Sequence, residues 1–211
     1  QLGYWRAQLG DDHPVLQLPV DRPRRADGRY RAAQHELTLP ADLVARLRQR
    51  AQAHDAPLFA AFLSAWQVLL HRYTGQDDIR VGVPVANRER TETEGVVGFF
   101  SNTQVLRSVL APNLSLDQAL AQAARAALDA QAHQELPFEQ LVEDLQPERS
   151  LGQSPLFQVM LNYRHVDAPA AQMIDGIRVT PIALDGQQAQ FEMTLDVAVQ
   201  PDGAAVLRLR Y

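Results

Sequence analysis

Apolar residues recur every three or four positions through PLFAAFLSAWQVLLHRYTG. Phe59, Phe62, Leu63, Trp66, Leu69, Leu70 and Tyr73 fall there on one wide face, and Gly75 supplies a stop. The pattern predicts a long amphipathic helix. A shorter one precedes it in ADLVARLRQRAQAHD, where Leu43, Leu47 and Ala51 form an i, i+4, i+8 stripe behind Pro40. An alanine-rich helix is predicted from Ser115 to about His133, with Ser115 as N-cap and Gln118 in the capping-box position, and a further helix starts at Pro137. At the N-terminus, Tyr4, Trp5 and Leu9 share a face in YWRAQLG, which reads as the end of a helix.

Elsewhere the period is two. HELTLP, DIRVGVPVA (78–86), TQVLRSVL (103–110), LFQVMLNY, GIRVTPIAL, FEMTLDVAV and AVLRLRY alternate or are rich in β-branched residues, and each reads as a strand. The polar run NRERTETEG and the turn GFFSNT separate the second strand from the third. Helices and strands interleave and then strands cluster, which predicts an α/β fold with a mixed β-sheet covered by helices. The proline-broken stretch HPVLQLPVDRP reads as an extended connection, and the basic run RPRRADGRYR at 22–31 as a solvated linker.

Composition narrows the chemistry. The 211 residues are 46% hydrophobic, enough to fill a core. A formal net charge of -5 with interspersed signs argues against a nucleic-acid surface. No segment is apolar enough to span a bilayer and no signal sequence opens the chain, so a cytoplasmic protein without membrane contact is expected. The absence of cysteine removes thiol chemistry and thiolate metal sites, and scattered histidines leave no metal site expected. All 20 basic residues are arginine, so the lysine of a phosphate-binding loop is missing. LGQSPLF around Ser154 has proline where a nucleophile elbow needs a sharp turn. HQELPFE reads first as structure: a helix end at His133 and a new helix started by Pro137, with Phe138 buried and Glu139 in its first turn.

In order along the chain, VGVPVANRERTETEGVVGFFSNTQVLR, AHQELPFEQLVEDL and RSLGQSPLFQVMLNY resemble the C-terminal half of the condensation domains of nonribosomal peptide synthetases. Four motif patterns of that family occur in the right order, and the resemblance covers residues 1–211. It implies a chloramphenicol-acetyltransferase-like lobe. The family's His-His-x-x-x-Asp-Gly signature belongs to the other, N-terminal lobe, and the present sequence contains no adjacent histidines. The expectation is therefore a partial C-terminal lobe, its final helix truncated, with no catalytic residue of its own and no activity alone.

By the same resemblance, such a lobe would serve peptide-bond formation between thioesters. No cofactor would be bound directly; phosphopantetheine arms of donor and acceptor carrier proteins would bring the substrates. Further partners would be the N-terminal lobe and a neighbouring adenylation domain, in bacterial antibiotic or siderophore biosynthesis. Arg88 would form a lobe-to-lobe salt bridge with the aspartate of the missing motif, a task suited to its planar fork; the alternative is a solvated loop charge. Gly98, Phe99, Phe100, Ser101, Asn102 and Thr103 would form a floor loop and tunnel wall, the two phenylalanines anchoring it in apolar packing and Ser101 and Asn102 presenting polar groups; the alternative is a purely structural turn. Residues from about Ile177 to Gln190 would include a latch crossing to the other lobe. A carrier-docking or scaffold module, and a lobe of a related acyltransferase or epimerisation domain, are the competing readings.

Overall fold

The computed structural model describes residues 1–21, 32–88, 91–146, 154–166, 172–174, 177–179 and 189–211. The chain begins with helix α1 (Leu2–Leu9), whose Trp5 and Leu9 are buried, and the next described element is strand β1 (Gln34–Leu39). Helices α2 (Ala41–Gln52) and α3 (Leu58–Thr74) follow, then β2 (Asp78–Val85), a single-turn α4 (Thr91–Glu94) and β3 (Asn102–Val109). After α5 (Leu116–Gln131) and α6 (Phe138–Leu145) come β4 (Val159–His165), β5 (Gln172–Ile174), β6 (Ile177–Val179), β7 (Met193–Val199) and β8 (Ala205–Arg210).

Local chemistry sets the helix ends as the sequence implies. Ser115 and Gln118 form a reciprocal capping box at the start of α5. Gly75 takes φ 69°, the left-handed conformation that closes α3 at little steric cost. The single turn α4 lies inside the polar run read from sequence as loop; four residues carry too little periodicity to be seen. Among the described residues no helix is long and apolar enough to cross a membrane.

The described strands form a six-stranded mixed sheet in the order β1-β8-β7-β4-β2-β3, plus a separate β5-β6 pair. β2, β4 and β7 run parallel, while β3, β8 and β1 pair antiparallel with their neighbours. The strand alternation assigns the two faces. Ile79, Val81, Leu106, Val159, Leu161, Leu195 and Val197 share the face covered by α3 and α5. Gln67 of α3 ties that layer to the sheet, donating to the Leu106 carbonyl (3.2 Å) and accepting from Ser108 (2.9 Å). Tyr163 extends the contact, its ring packing edge-on against Phe59 (5.7 Å between centroids).

Two helix faces differ from the sequence reading. Leu69 and Tyr73 of α3 are exposed, because the buried side is carried by Leu58, Phe62, Leu63, Trp66 and Leu70. In α2, Val44 joins Ala51 in the core, while Leu43 and Leu47 are half-buried.

Among the described residues, the opposite face is covered over part of its width. α1, α6 and the extended segment after α1 pack there, held by Gln158 accepting the Leu16 N–H (2.7 Å) and by Arg80. Phe157 lies flat over Gly82, where any Cβ would sit 2.3 Å from its ring. Phe138 and Phe191 flank it, with ring centroids at 5.5 and 5.4 Å. The basic run at 22–31 and most of the 177–190 stretch lie outside the described residues.

Candidate functional site: an arginine-closed loop and an asparagine clamp

Two residues beyond β2, Asn87 turns the chain through φ 51°, a left-handed conformation that asparagine tolerates better than most side chains. The turn delivers Arg88 into the mouth of the loop that follows. Its Nη1 donates to the carbonyls of Thr93 and Val96 (2.9 Å for the latter) and its Nη2 to the carbonyl of Gly98 (3.1 Å). The guanidinium carbon stands 4.3 Å from the centroid of the Phe100 ring. One side chain thus gathers three carbonyls and an aromatic face, using charge-assisted hydrogen bonds and a cation–π contact. No carboxylate is among the described partners of Arg88.

Gly98 and Phe100 fit together, since a Cβ on Gly98 would press the Phe100 ring at 3.2 Å. Phe99 corrects the expectation that both phenylalanines anchor the turn: it is 91% exposed, beside a wholly exposed Val97 and a largely exposed Val96. Successive side chains of an extended segment point to opposite sides, so packing Phe100 inward turns Phe99 outward. The loop is organised within, yet its tip is apolar and open.

Asn102 is the fifth residue of the motif, and its side chain is spent internally. Its Nδ2 donates to the carbonyls of Gln134 (2.9 Å) and Leu136 (2.8 Å). Its Oδ1 accepts the backbone N–H of Thr103 (2.9 Å) and of Phe138 (3.0 Å). GFFSNT and HQELPFE, 30 or more residues apart, are one hydrogen-bonded unit. Ser101 is exposed just before this clamp, and Thr103, the second residue of β3, pairs opposite Pro84.

His133 belongs to the same unit as a structural residue. Its Nδ1 lies 2.7 Å from the Asp129 carbonyl, its ring stacks on Tyr4 at 4.0 Å, and its carbonyl accepts the Trp5 indole N–H (3.0 Å). Burial, with the charge of Asp129, pushes the Tyr4 hydroxyl up to about 12. Pro137 starts α6, Phe138 is half-buried against Phe157, and Glu139 is exposed in the first turn, where the helix dipole favours an anion.

Sequence reasoning missed two polar clusters. In one, Arg80, with a side chain 3% exposed, donates to Asp78 (2.9 Å), to His13 Nδ1 (2.9 Å) and to the carbonyls of Leu9 and Asp12, while Arg107 reaches Asp78 (3.0 Å) and the Gln8 carbonyl (2.9 Å). Burial alone would raise the Asp78 carboxyl, but hydrogen bonds from the two arginines hold it below the usual range. Burial, then the Arg80 charge, lowers the His13 pKa. The other cluster joins Asn162, Asp196 and Arg210 on the open part of the sheet. The signal for both was the strand alternation, which sets Arg80 beside Arg107 and Asn162 beside Asp196 on the face away from α3.

The model of the Condensation domain family matches residues 1–211. A component of the linear gramicidin synthase of Brevibacillus parabrevis is 46% identical over 209 residues, covering 97% of this chain and 4% of that protein. Phosphinothricin tripeptide synthetase PhsC of Streptomyces viridochromogenes is 42% identical over 158 residues, 75% of this chain and 14% of that one. Among solved structures, the X-domain from teicoplanin biosynthesis superposes with a TM-score of 0.87 at 25% identity, covering all of this chain and 48% of its own. A four-domain nonribosomal peptide synthetase bound to AMP and glycine gives 0.87 at 23% identity over 100% of this chain and 17% of that one, a likeness of fold. The chain thus spans a small fraction of these synthetases and about half of the X-domain chain.

Proposed function

Because the chain belongs to the condensation-domain family along all 211 residues, we propose that it is the C-terminal lobe of a peptide-bond-forming domain and shapes one wall of its substrate passage. In that reaction the amine nitrogen of a carrier-bound acceptor attacks the carbonyl carbon of a donor thioester. The C–N bond forms, the C–S bond breaks, and the departing sulfur ends as a thiol with the proton shed by nitrogen. Thioesters are already activated, so holding the two ends together supplies much of the acceleration. The catalytic histidine belongs to a companion lobe carrying the His-His-x-x-x-Asp-Gly signature.

The observation that carries this reading is the loop from Thr91 to Ser101: tied together by Arg88 through the carbonyls of Thr93, Val96 and Gly98, yet displaying an exposed Val97 and Phe99. A loop closed by internal hydrogen bonds while displaying apolar side chains is suited to being covered by another body. The histidines support the division of labour. His13, His54, His71, His133 and His165 each have an arginine, aspartate, carbonyl or tyrosine partner within this chain, and His35 lies on the exposed strand β1.

The partners in this account are the companion lobe, donor and acceptor carrier proteins with their phosphopantetheine arms, and a neighbouring adenylation domain, in the cytoplasm of a bacterium making a peptide antibiotic or siderophore. Phe99→Asp in the complete two-lobed domain tests it. The variant keeps the fold of this lobe, because Phe99 packs on little, and loses most condensation activity, read by mass spectrometry of the peptidyl thioester. Full activity with Phe99→Asp would oppose the reading.

A further inference from the structure

Among the described residues, no helix covers the face of the sheet away from α3 over β4, β7 and β8. A cavity of about 190 Å³ lies on it, lined by Pro84, Met160, Asn162, Phe191, Thr194 and Asp196 among others. Within it, Asn162 Nδ2 donates to Asp196 Oδ1 at 3.0 Å, and Arg210 donates to Asp196 Oδ2 through Nε at 2.9 Å and also through Nη2. Asp196 is mostly buried, its side chain 15% exposed.

This chain of bonds decides which end of the Asn162 carboxamide is which. An ionised carboxylate only accepts, so the amide nitrogen must be the group turned toward Asp196. Arg210 fixes the carboxylate, and the carboxylate fixes the amide. The carboxamide oxygen is then turned away from Asp196, and among the described residues no hydrogen bond to it is formed. The arginine and aspartate charges cancel, so the pocket favours neither a cation nor an anion. What it offers, beside the polar side chains of Gln190 and Thr194, is an oriented neutral acceptor flanked by the apolar walls of Pro84, Met160 and Phe191.

We infer that Asn162 is a substrate-binding residue whose carboxamide oxygen accepts a neutral N–H of the carrier-delivered substrate, with Asp196 and Arg210 as the positioning residues that aim it. The inference rests on the reading of this chain as a condensation lobe. Two groups of one substrate have that chemistry: the uncharged nucleophilic amine of the acceptor, and the amide N–H groups of its pantetheine arm. The alkyl portions of either fit the apolar walls.

The test uses the complete two-lobed domain with soluble acceptors: an aminoacyl-pantetheine thioester, and the same aminoacyl group on a plain alkyl thiol, which lacks amide N–H groups. Asn162→Ala raises the acceptor KM about threefold to tenfold, the worth of one hydrogen bond, with the donor KM and the melting temperature little changed. A rise confined to the pantetheine acceptor assigns the arm; a rise with both assigns the amine. Asp196→Asn lets the Asn162 amide adopt either orientation and gives a smaller rise in the same constant. Affinity for an unreactive thioether analogue of the aminoacyl-pantetheine, read by calorimetry, gives the same comparison without turnover. Unchanged acceptor KM and analogue affinity in Asn162→Ala overturn the site, as does a lowered melting temperature with KM unaltered. A wild-type domain that binds the analogue but forms no product counts against the condensation reading alone.

Discussion

The carboxamide oxygen of Asn102 accepts the backbone N–H of Phe138 at 3.0 Å, joining the first residue of β3 to the first residue of α6. The same side chain holds the carbonyls of Gln134 and Leu136 and the N–H of Thr103, so its loss strands four backbone groups at a partly buried junction. Asn102→Ala is expected to lower the unfolding free energy by about 2–3 kcal/mol, measured by urea denaturation. Asn102→Asp should be at least as harmful at neutral pH, because it sets a carboxylate against two carbonyl oxygens, and should recover in part as that carboxylate protonates.

Arg88 acts on a smaller unit. Arg88→Ala removes three carbonyl contacts from a surface loop, so backbone amides between Thr91 and Gly98 should exchange faster with solvent while global stability moves by less than about 1 kcal/mol. Arg88→Lys should not restore protection, since one ammonium cannot reproduce the planar fork. Hydrogen exchange read by mass spectrometry distinguishes these outcomes from a global loss of fold.

Gly82 and Phe157 share one space, and the ring fills it. Gly82→Ala places a methyl 2.3 Å from the ring, an overlap that requires the ring or the strand to move and should cost about 1–3 kcal/mol. Pairing it with Phe157→Leu should restore part of that loss beyond what the two single changes predict, a double-mutant coupling readable from thermal melts.

Acid should loosen the segment that follows α1 in two steps. The folded pKa of His13 lies below its ordinary 6.5, so its contribution is complete above about pH 6.5 and declines as pH falls from there toward the folded value. Arg80, Asp11, Asp12 and the Leu145 carbonyl are the groups that act on it. Asp78 is lowered from 3.8, so its contribution holds above that value and is lost as pH falls through the lower, folded pKa. His13→Gln should flatten stability as pH falls below about 6.5, and Asp78→Asn should remove the later loss, both followed by urea midpoints at stepped pH.

Much of the architecture was legible because short-range rules decide it. Ser115 with Gln118, Gly75 and Pro137 mark helix ends by local chemistry, and period-two alternation carried every strand of the large sheet. What stayed hidden is non-local. Nothing in GFFSNT says that Asn102 reaches the α5–α6 connection, and nothing in GQDDIRVG says that Arg80 binds carbonyls some 70 positions earlier. Phe99 misled for a related reason: hydrophobicity signals burial, and an exposed apolar tip is understandable only once a covering partner enters the account. Tyr73 and Leu69 show the limit of a helical stripe: both face solvent while Phe62, Leu63, Trp66 and Leu70 carry the buried side.

The most direct measurement mixes this chain with a separately produced lobe carrying the His-His-x-x-x-Asp-Gly signature, adds loaded donor and acceptor carrier proteins, and follows the dipeptidyl thioester by mass spectrometry. Product is expected only when both polypeptides are present, and none when the histidine of the added lobe is replaced by alanine. Dipeptide formed by this chain alone would contradict the account.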